Sequence, residues 1–217
     1  VKVIQNLVSP SKYNIKCPYS MNPEFIIVHN TANDASAKNE VAYMINNNNK
    51  VSFHYAIDDK EIVQGIPENR NAWHAGDGNG PGNRKGIGIE ICYSKSGGKR
   101  FEEAEKLAAK FIAYKLNEKN WGVDRVKKHQ DFSGKYCPHR TLDMGWQRFL
   151  NMVQAELNKL KGGNAVTKPD KNTPSSWAKP SWDWAKKEGF LDGTRPKDSV
   201  TREELAVVLQ RLVKKLG

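Results

Sequence analysis

Between residues 25 and 30 the chain reads Phe-Ile-Ile-Val-His-Asn, an apolar run of aromatic and β-branched residues that predicts a buried strand. Residues 36–49, SAKNEVAYMINNNN, fit a short helix ending in an asparagine cluster. VSFHYAIDDKEIVQGI (51–66) reads as two strands around an Asp-Asp-Lys turn, and GIGIEICYS (86–94) as another buried strand. Phe101, Ala104, Leu107, Ala108, Phe111, Ile112 and Lys115 then trace one helical face. Glu102 and Glu103 fall in the first turn of that helix, where the dipole favours acids. Trp146, Phe149, Leu150, Val153, Leu157 and Leu160 give a second amphipathic helix. Strands interleaved with helices in this order predict an α/β domain, a central mixed sheet flanked by helices.

The pattern breaks at KGGNAVTKPDKNTPSS, where Gly, Pro, Lys, Asn, Thr and Ser almost displace large apolar residues. That composition predicts a solvated linker. The expected organisation is a first domain over 1–161, a linker over 162–176 and a small, mainly helical module over 177–217. The module carries Trp177, Trp182 and Trp184. It closes with a helix in which Thr201 and Glu204 form a capping-box pattern ahead of Leu205, Val208, Leu209, Leu212 and Val213. About 40 residues is near the lower limit for independent stability. The module is therefore expected to self-associate into a homo-oligomer, to dock on the first domain, or to be marginally stable alone.

Charge narrows the partners. The chain has 35 Lys and Arg against 24 Asp and Glu, a formal net charge of +11. Such a balance favours a polyanionic partner and says little about fold. The basic residues are interleaved with acids, as in KKEGFLDGTRPKDSVTREE, so no nucleic-acid partner is expected. No apolar run approaches the ~18–20 residues of a spanning helix, so no membrane insertion is expected. The first twenty residues hold no basic stretch feeding an apolar core, and the reading is a chain made in the cytoplasm without a secretory leader. Cys17, Cys92 and Cys137 are odd in number and widely spaced, which is no disulfide framework.

Candidate chemistry lies at His29, ending the first buried strand, and at His129 and Cys137 in KKHQDFSGKYCPHR. Imidazole nitrogen and thiolate sulfur suit zinc, which in catalytic sites keeps three protein ligands and one open position. Spacing alone leaves a core histidine and a buried free cysteine as the rival reading. His54, His74 and His139 are further candidate ligands. Glu90, flanked by apolar residues in GIGIEIC, is either a paired core anomaly or a functional group.

The segments VHNTAN (28–33), SFHY (52–55), AWHAGDGNG (72–80), GNRKGIGIEIC (82–92) and HQDFSGKYCP (129–138) occur in this order. Together they resemble the N-acetylmuramoyl-L-alanine amidase family related to peptidoglycan recognition proteins, especially its phage endolysin and Bacillus autolysin branch. The resemblance covers most of residues 1–157. It implies a sheet-plus-helices fold and a Zn2+ held by His29, His129 and Cys137. The implied reaction cleaves the bond between the lactyl group of muramic acid and L-alanine in bacterial peptidoglycan. It further implies Glu90 as the catalytic acid and Lys135 as a cation near the developing oxyanion. Phe53 stands where many relatives carry a tyrosine, so a tyrosine-assisted step is in doubt and Glu90 takes more of the proton transfer. Phe53, Trp73 and His74 are the expected substrate contacts.

The tail WAKPSWDWAKKEGFLDGTRPKDSVTREELAVVLQRL resembles a single S-layer-homology repeat. That likeness implies binding to an anionic secondary wall polymer and, for one copy where three are usual, self-association. The combined expectation is an endolysin or autolysin acting on the bacterial wall and causing lysis. A non-catalytic peptidoglycan-binding module is the alternative.

Overall fold

The computed structural model describes residues 2–161, 174, 178–194 and 200–216. In chain order the elements are β1 (Ile4–Gln5), α1 (Tyr13–Lys16), β2 (Phe25–Asn30), α2 (Ala37–Asn46), β3 (Tyr55–Ile57) and β4 (Ile62–Gln64). There follow α3 (Pro81–Lys85), β5 (Gly86–Ile91), α4 (Gly98–Glu118), β6 (Val126–Lys128), α5 (Gln130–Ser133), α6 (His139–Asp143) and α7 (Trp146–Lys161). The tail contributes α8 (Lys179–Lys187) and α9 (Arg202–Leu216).

The strands form one mixed sheet in the order β1-β4-β3-β5-β2-β6. β3 and β4 pair antiparallel, as the Asp58–Lys60 turn demands; every other neighbouring pair is parallel. The expected mixed sheet flanked by helices is therefore present. The apolar runs at 25–30 and 86–91 become β2 and β5, neighbouring interior strands of the sheet, as suits parallel strands covered on both faces.

Register decides what faces the site. His29 pairs with Glu90, and Glu90 with Ala56, so these three side chains share one face. Val28, Ile89 and Tyr55 share the other, where the Tyr55 ring meets Phe111 of α4 at 4.8 Å between centroids. Phe101, Ala104, Ala108, Phe111 and Ile112 of α4 are fully buried or nearly so, and Phe149, Val153 and Leu157 of α7 pack into the same core. Burying each large side chain contributes on the order of 1.5–3 kcal/mol.

Several boundaries move. The segment expected as a strand from residue 51 begins only at Tyr55, and the strand at 86 ends at Ile91 rather than residue 94. α4 starts at Gly98, a turn ahead of the expected first turn at Glu102 and Glu103. β1, β6 and the short α1, α3, α5 and α6 lie in segments whose hydrophobic pattern predicts no element.

The chain divides into two compact units, Val1–Gly162 and Gly163–Gly217. Of the segment expected as linker, 162–176, all but Pro174 lies outside the described residues, as does Trp177. Within the second unit the capping box forms at α9: Glu204 N–H donates to Thr201 Oγ1 at 3.1 Å and Thr201 N–H to Glu204 Oε2 at 2.8 Å. α8 and α9 are tied by Arg211 donating to the Phe190 carbonyl at 3.2 Å and Lys215 to the Glu188 carbonyl at 2.9 Å. No helix among the described residues is long and apolar enough to cross a membrane.

Candidate active site

β2 and β5 both run toward one edge of the sheet, and their carboxyl ends open into a cavity of about 720 Å³. His29, Glu90, His129, Lys135 and Cys137 all line it, as do Phe53, Trp73 and His74. The carboxyl ends of parallel strands are where open α/β sheets place ligands.

Three segments carry the donors, each held by its own polar anchors. His29 is buried at the end of β2. His129 follows β6, with its N–H directed at the Val28 carbonyl. The Asp131 carboxylate accepts from Lys128 N–H at 3.1 Å, and Phe132 stacks on Phe25 at 5.4 Å, which seats α5 beside β2. Cys137 sits between α5 and α6. Its carbonyl accepts from Gln130 N–H, and Asn30 Oδ1 accepts from the Arg140 and Thr141 N–H groups at 3.0 and 3.2 Å. Asn30, next to His29 in sequence, thus caps the helix after Cys137 and couples the two ligand-bearing segments.

The donor atoms converge. His29 Nδ1 is 3.0 Å from His129 Nδ1 and 3.9 Å from Cys137 Sγ, and all three donors lie within 4.8 Å of one another. Around a tetrahedral zinc with ordinary bond lengths the ligand atoms stand about 3.3–3.6 Å apart. Proton accounting agrees with that fit. His29 Nε2 faces His74 Nδ1 at 3.0 Å, and His74 Nε2 faces the Gly86 carbonyl at 3.2 Å. His29 Nδ1 is therefore left with its lone pair, facing His129 Nδ1 and a thiol, a donor set that a divalent cation satisfies.

Electrostatics keep this set in its neutral form. Burial holds His29 well below the usual histidine range, helped by the neighbouring His74 and His129. His129 is lowered by burial and then by the Lys135 charge. Neutral imidazole is the form that binds metal. Burial and the Glu90 charge push the Cys137 thiol up to about 11, against the Asn30 backbone N–H and the Lys135 charge, so metal binding there displaces a proton.

Glu90 has one carboxylate oxygen, Oε2, buried without a hydrogen-bond partner. Burial, and then the charge of Glu40, raises its pKa to about 8, and Lys135 opposes the rise. Glu105 Oε1 is likewise without a partner but lies away from the cavity, whereas Glu90 lines it; desolvation without a partner costs on the order of 1–3 kcal/mol. Lys135 is exposed at the rim.

The other expected contacts divide. Phe53 is 6% exposed, belonging to the core while lining the cavity. Trp73 is fixed by its indole N–H donating to the Ile15 carbonyl at 3.0 Å, with Lys50 over its ring at 4.7 Å. His74 lines the cavity, but both its ring nitrogens are engaged inward as described. Among the rival ligands, His54 Nδ1 accepts from Gly88 N–H and its Nε2 donates to the Arg70 carbonyl, and His139 faces the Ser94 carbonyl at 3.4 Å. Neither belongs to the converging set.

Residues without a sequence signal complete the scaffold. Buried Asn83 accepts at Oδ1 from both His74 and Ala75 N–H groups at 2.7 Å, fixing the loop that carries His74. Gly76 in that loop has φ +72°, and a Cβ there would stand 3.0 Å from Ser133 Oγ and 3.3 Å from His129 Nε2, a strained and crowded place that favours glycine. Fully buried Lys16 donates to Asn47 Oδ1 and to the Asn49 and Val51 carbonyls, pinning the segment whose Lys50 and Val51 line the cavity. The role of Lys16 depends on long-range pairing that no local pattern announces.

Comparison with known proteins follows the same outline. The N-acetylmuramoyl-L-alanine amidase family profile matches residues 19–140. N-acetylmuramoyl-L-alanine amidase CwlA of Bacillus subtilis (strain 168) is 55% identical over 206 residues, covering 90% of this chain and 76% of that protein. XlyB of the same organism, also an N-acetylmuramoyl-L-alanine amidase, is 61% identical over 160 residues, 73% of this chain but only 50% of XlyB. The solved structure of PlyL superposes with a TM-score of 0.70 at 55% identity, covering 72% of this chain and 99% of that one. The PlyG catalytic domain gives 0.70 at 52% identity, covering 78% and 99%.

Proposed function

This chain belongs to the N-acetylmuramoyl-L-alanine amidase family, and from that premise we propose that it hydrolyses the lactyl–L-alanine amide of peptidoglycan with one zinc held by His29, His129 and Cys137. The observation carrying this reading is the convergence of the His29, His129 and Cys137 donor atoms within 4.8 Å of one another. Zinc, when bound, supplies Lewis acidity that lowers the pKa of water toward ~7 and polarises a carbonyl.

The chain's own residues do the rest. Burial raises the Glu90 pKa to about 8 in the metal-free protein, and in its ionised form Glu90 is the group positioned to take a proton from water and, as the acid so formed, to deliver it to the leaving amine. Lys135 brings a positive charge to the cavity rim, where an oxyanion develops. Phe53 offers no hydroxyl, so proton transfer rests on Glu90. Phe53 and the anchored indole of Trp73 present an apolar wall to the substrate. A peptidoglycan binder without catalysis has no use for an orphaned carboxylate beside a thiol and two imidazoles, which disfavours that alternative.

Digestion of purified peptidoglycan, with mass spectrometry of the products, tests the reading: new N-terminal alanine supports it, and cleavage at any other bond rejects it. Lys135→Ala is expected to lower kcat about tenfold, less than the ~10²-fold cost of a buried oxyanion donor, because water reaches an exposed position. An unchanged kcat in steady-state assays would remove Lys135 from the mechanism.

The tail is proposed as the wall-targeting part of an endolysin or autolysin, bound to an anionic wall polymer and self-associating. Its support is its separate compact unit and the exposed Trp184, Leu205, Leu209 and Val213. A chain ending near Lys161 is expected to cleave soluble muropeptide at close to the full-length rate and to bind and lyse intact cells poorly, since tethering raises local concentration without touching chemistry. Wall pull-downs and light scattering of both chains check this. Equal wall binding would reject targeting, and a monomeric full-length chain would reject self-association.

A further inference from the structure

His74 lies across β5 in space that any side chain at position 88 would fill. A Cβ on Gly88 would stand 2.8 Å from His74 Cγ and Cδ2. The strand there is held in turn by His54, whose Nδ1 accepts from Gly88 N–H at 2.9 Å. A carbonyl oxygen only accepts, so the contact of His74 Nε2 with the Gly86 carbonyl puts the His74 proton on Nε2. His74 Nδ1 is then an acceptor, and the atom facing it at 3.0 Å, His29 Nε2, must be the donor. A neutral imidazole has one N–H, so His29 Nδ1 is left with its lone pair, and that atom faces His129 and Cys137.

We infer that His74 is a positioning residue: its acceptor nitrogen fixes both the rotation and the tautomer of the His29 ring, so that Nδ1 is the atom presented for metal binding. The inference rests on the zinc reading above. It assigns His74 a task other than substrate contact, since neither ring nitrogen is left to meet a ligand in the cavity. The chain of bonds runs from the Gly86 carbonyl through His74 and His29 to the donor set, and it originates in β5, which is paired to β2 over six residues. Outer partners of this kind orient a ligand and raise its basicity, and their loss costs ~10–100-fold in metal affinity.

The test is zinc affinity by chelator competition on the full chain, comparing wild type, His74→Phe and His74→Asn. Phenylalanine fills the space of the imidazole without an acceptor; asparagine sets Oδ1 close to the place of Nδ1. His74→Phe is expected to bind zinc ~10–100-fold more weakly, and His74→Asn to recover to within about threefold of wild type. Equal affinity in His74→Phe, or no recovery in His74→Asn, overturns the inference. A measurement independent of variant folding is the ¹⁵N NMR pattern of the zinc-loaded wild type. It is expected to show the His29 proton on Nε2; a proton on Nδ1 overturns the inference. A wild-type chain that binds no zinc rejects the zinc reading and this inference together, whereas zinc binding insensitive to His74 rejects this inference alone.

Discussion

Glu90→Gln is expected to keep the fold and the zinc content while lowering kcat by at least ~10²-fold, the scale on which a positioned acid or base contributes. The substitution preserves shape and removes only the capacity to exchange a proton. Steady-state hydrolysis of muropeptide, with metal analysis of the same sample, separates this outcome from a structural one. A wild-type rate would mean that another group carries the proton.

The same substitution has a second expected signature in the metal-free protein. Burial and the Glu40 carboxylate on α2 raise Glu90 to about 8, against the opposing charge of Lys135 from the loop before Cys137. A carboxyl whose folded pKa exceeds its unfolded value of 4.5 stabilises fully below 4.5, and the contribution is lost as pH rises through about 8. Glutamine cannot ionise. In chelator, Glu90→Gln should therefore melt higher than wild type at pH 8, with the difference shrinking toward pH 4. Parallel melting curves for the two proteins across that range would contradict the burial account. A carboxyl kept at a cost to stability is what a catalytic site trades for reactivity.

β2 and β5 were legible because buried parallel strands write themselves as continuous apolar runs: Phe25–Asn30 and the strand opening at Gly86 needed no tertiary information. α4 and α7 were legible for the complementary reason, a 3.6-residue stripe sustained over several turns. β1 and β6 were not, since two or three residues give no period and their strand character comes from pairing with β4 and β2. At the site, spacing alone left His29, His129, Cys137 and Glu90 open; the family resemblance carried by the ordered motifs pointed to them, and these line one cavity. The function of Asn30 and Lys16 was illegible because each acts on backbone groups distant in sequence: Asn30 on a helix more than a hundred residues away, Lys16 on a loop about thirty residues on. His74 shows the same limit within a motif. Its place in AWHAGDGNG suggested contact with substrate, and only the Gly86 carbonyl and the room left by Gly88 reveal which way its nitrogens point.

Removal of the metal is expected to abolish hydrolysis and to loosen the domain, for a reason visible in where the three donors originate. His29 belongs to β2, His129 follows β6, and Cys137 sits in the loop between α5 and α6, so a cation bound by all three would join the sheet to a segment otherwise held by Asn30, Gln130 and the Phe25–Phe132 stack. An ion that binds only the folded state stabilises it by about 4 kcal/mol at a thousandfold excess over Kd. At roughly 2–4 °C per kcal/mol for a domain of this size, chelation should lower Tm by about 8–16 °C. Cys137→Ser should act in the same direction. A buried hydroxyl does not replace a thiolate toward zinc, and losing a ligand should cost more than the ~10²-fold ceiling for an outer partner such as His74. Elemental analysis, melting curves and turnover are to be read on wild type, on wild type in chelator and on Cys137→Ser, with zinc then restored. Return of both Tm and activity on restoring zinc to the chelated wild type, and of neither in Cys137→Ser, is the expected pattern. Full activity in chelator would sink the metal mechanism outright. A Tm indifferent to chelator would leave the chemistry standing but deny that the cation braces the loop carrying Cys137.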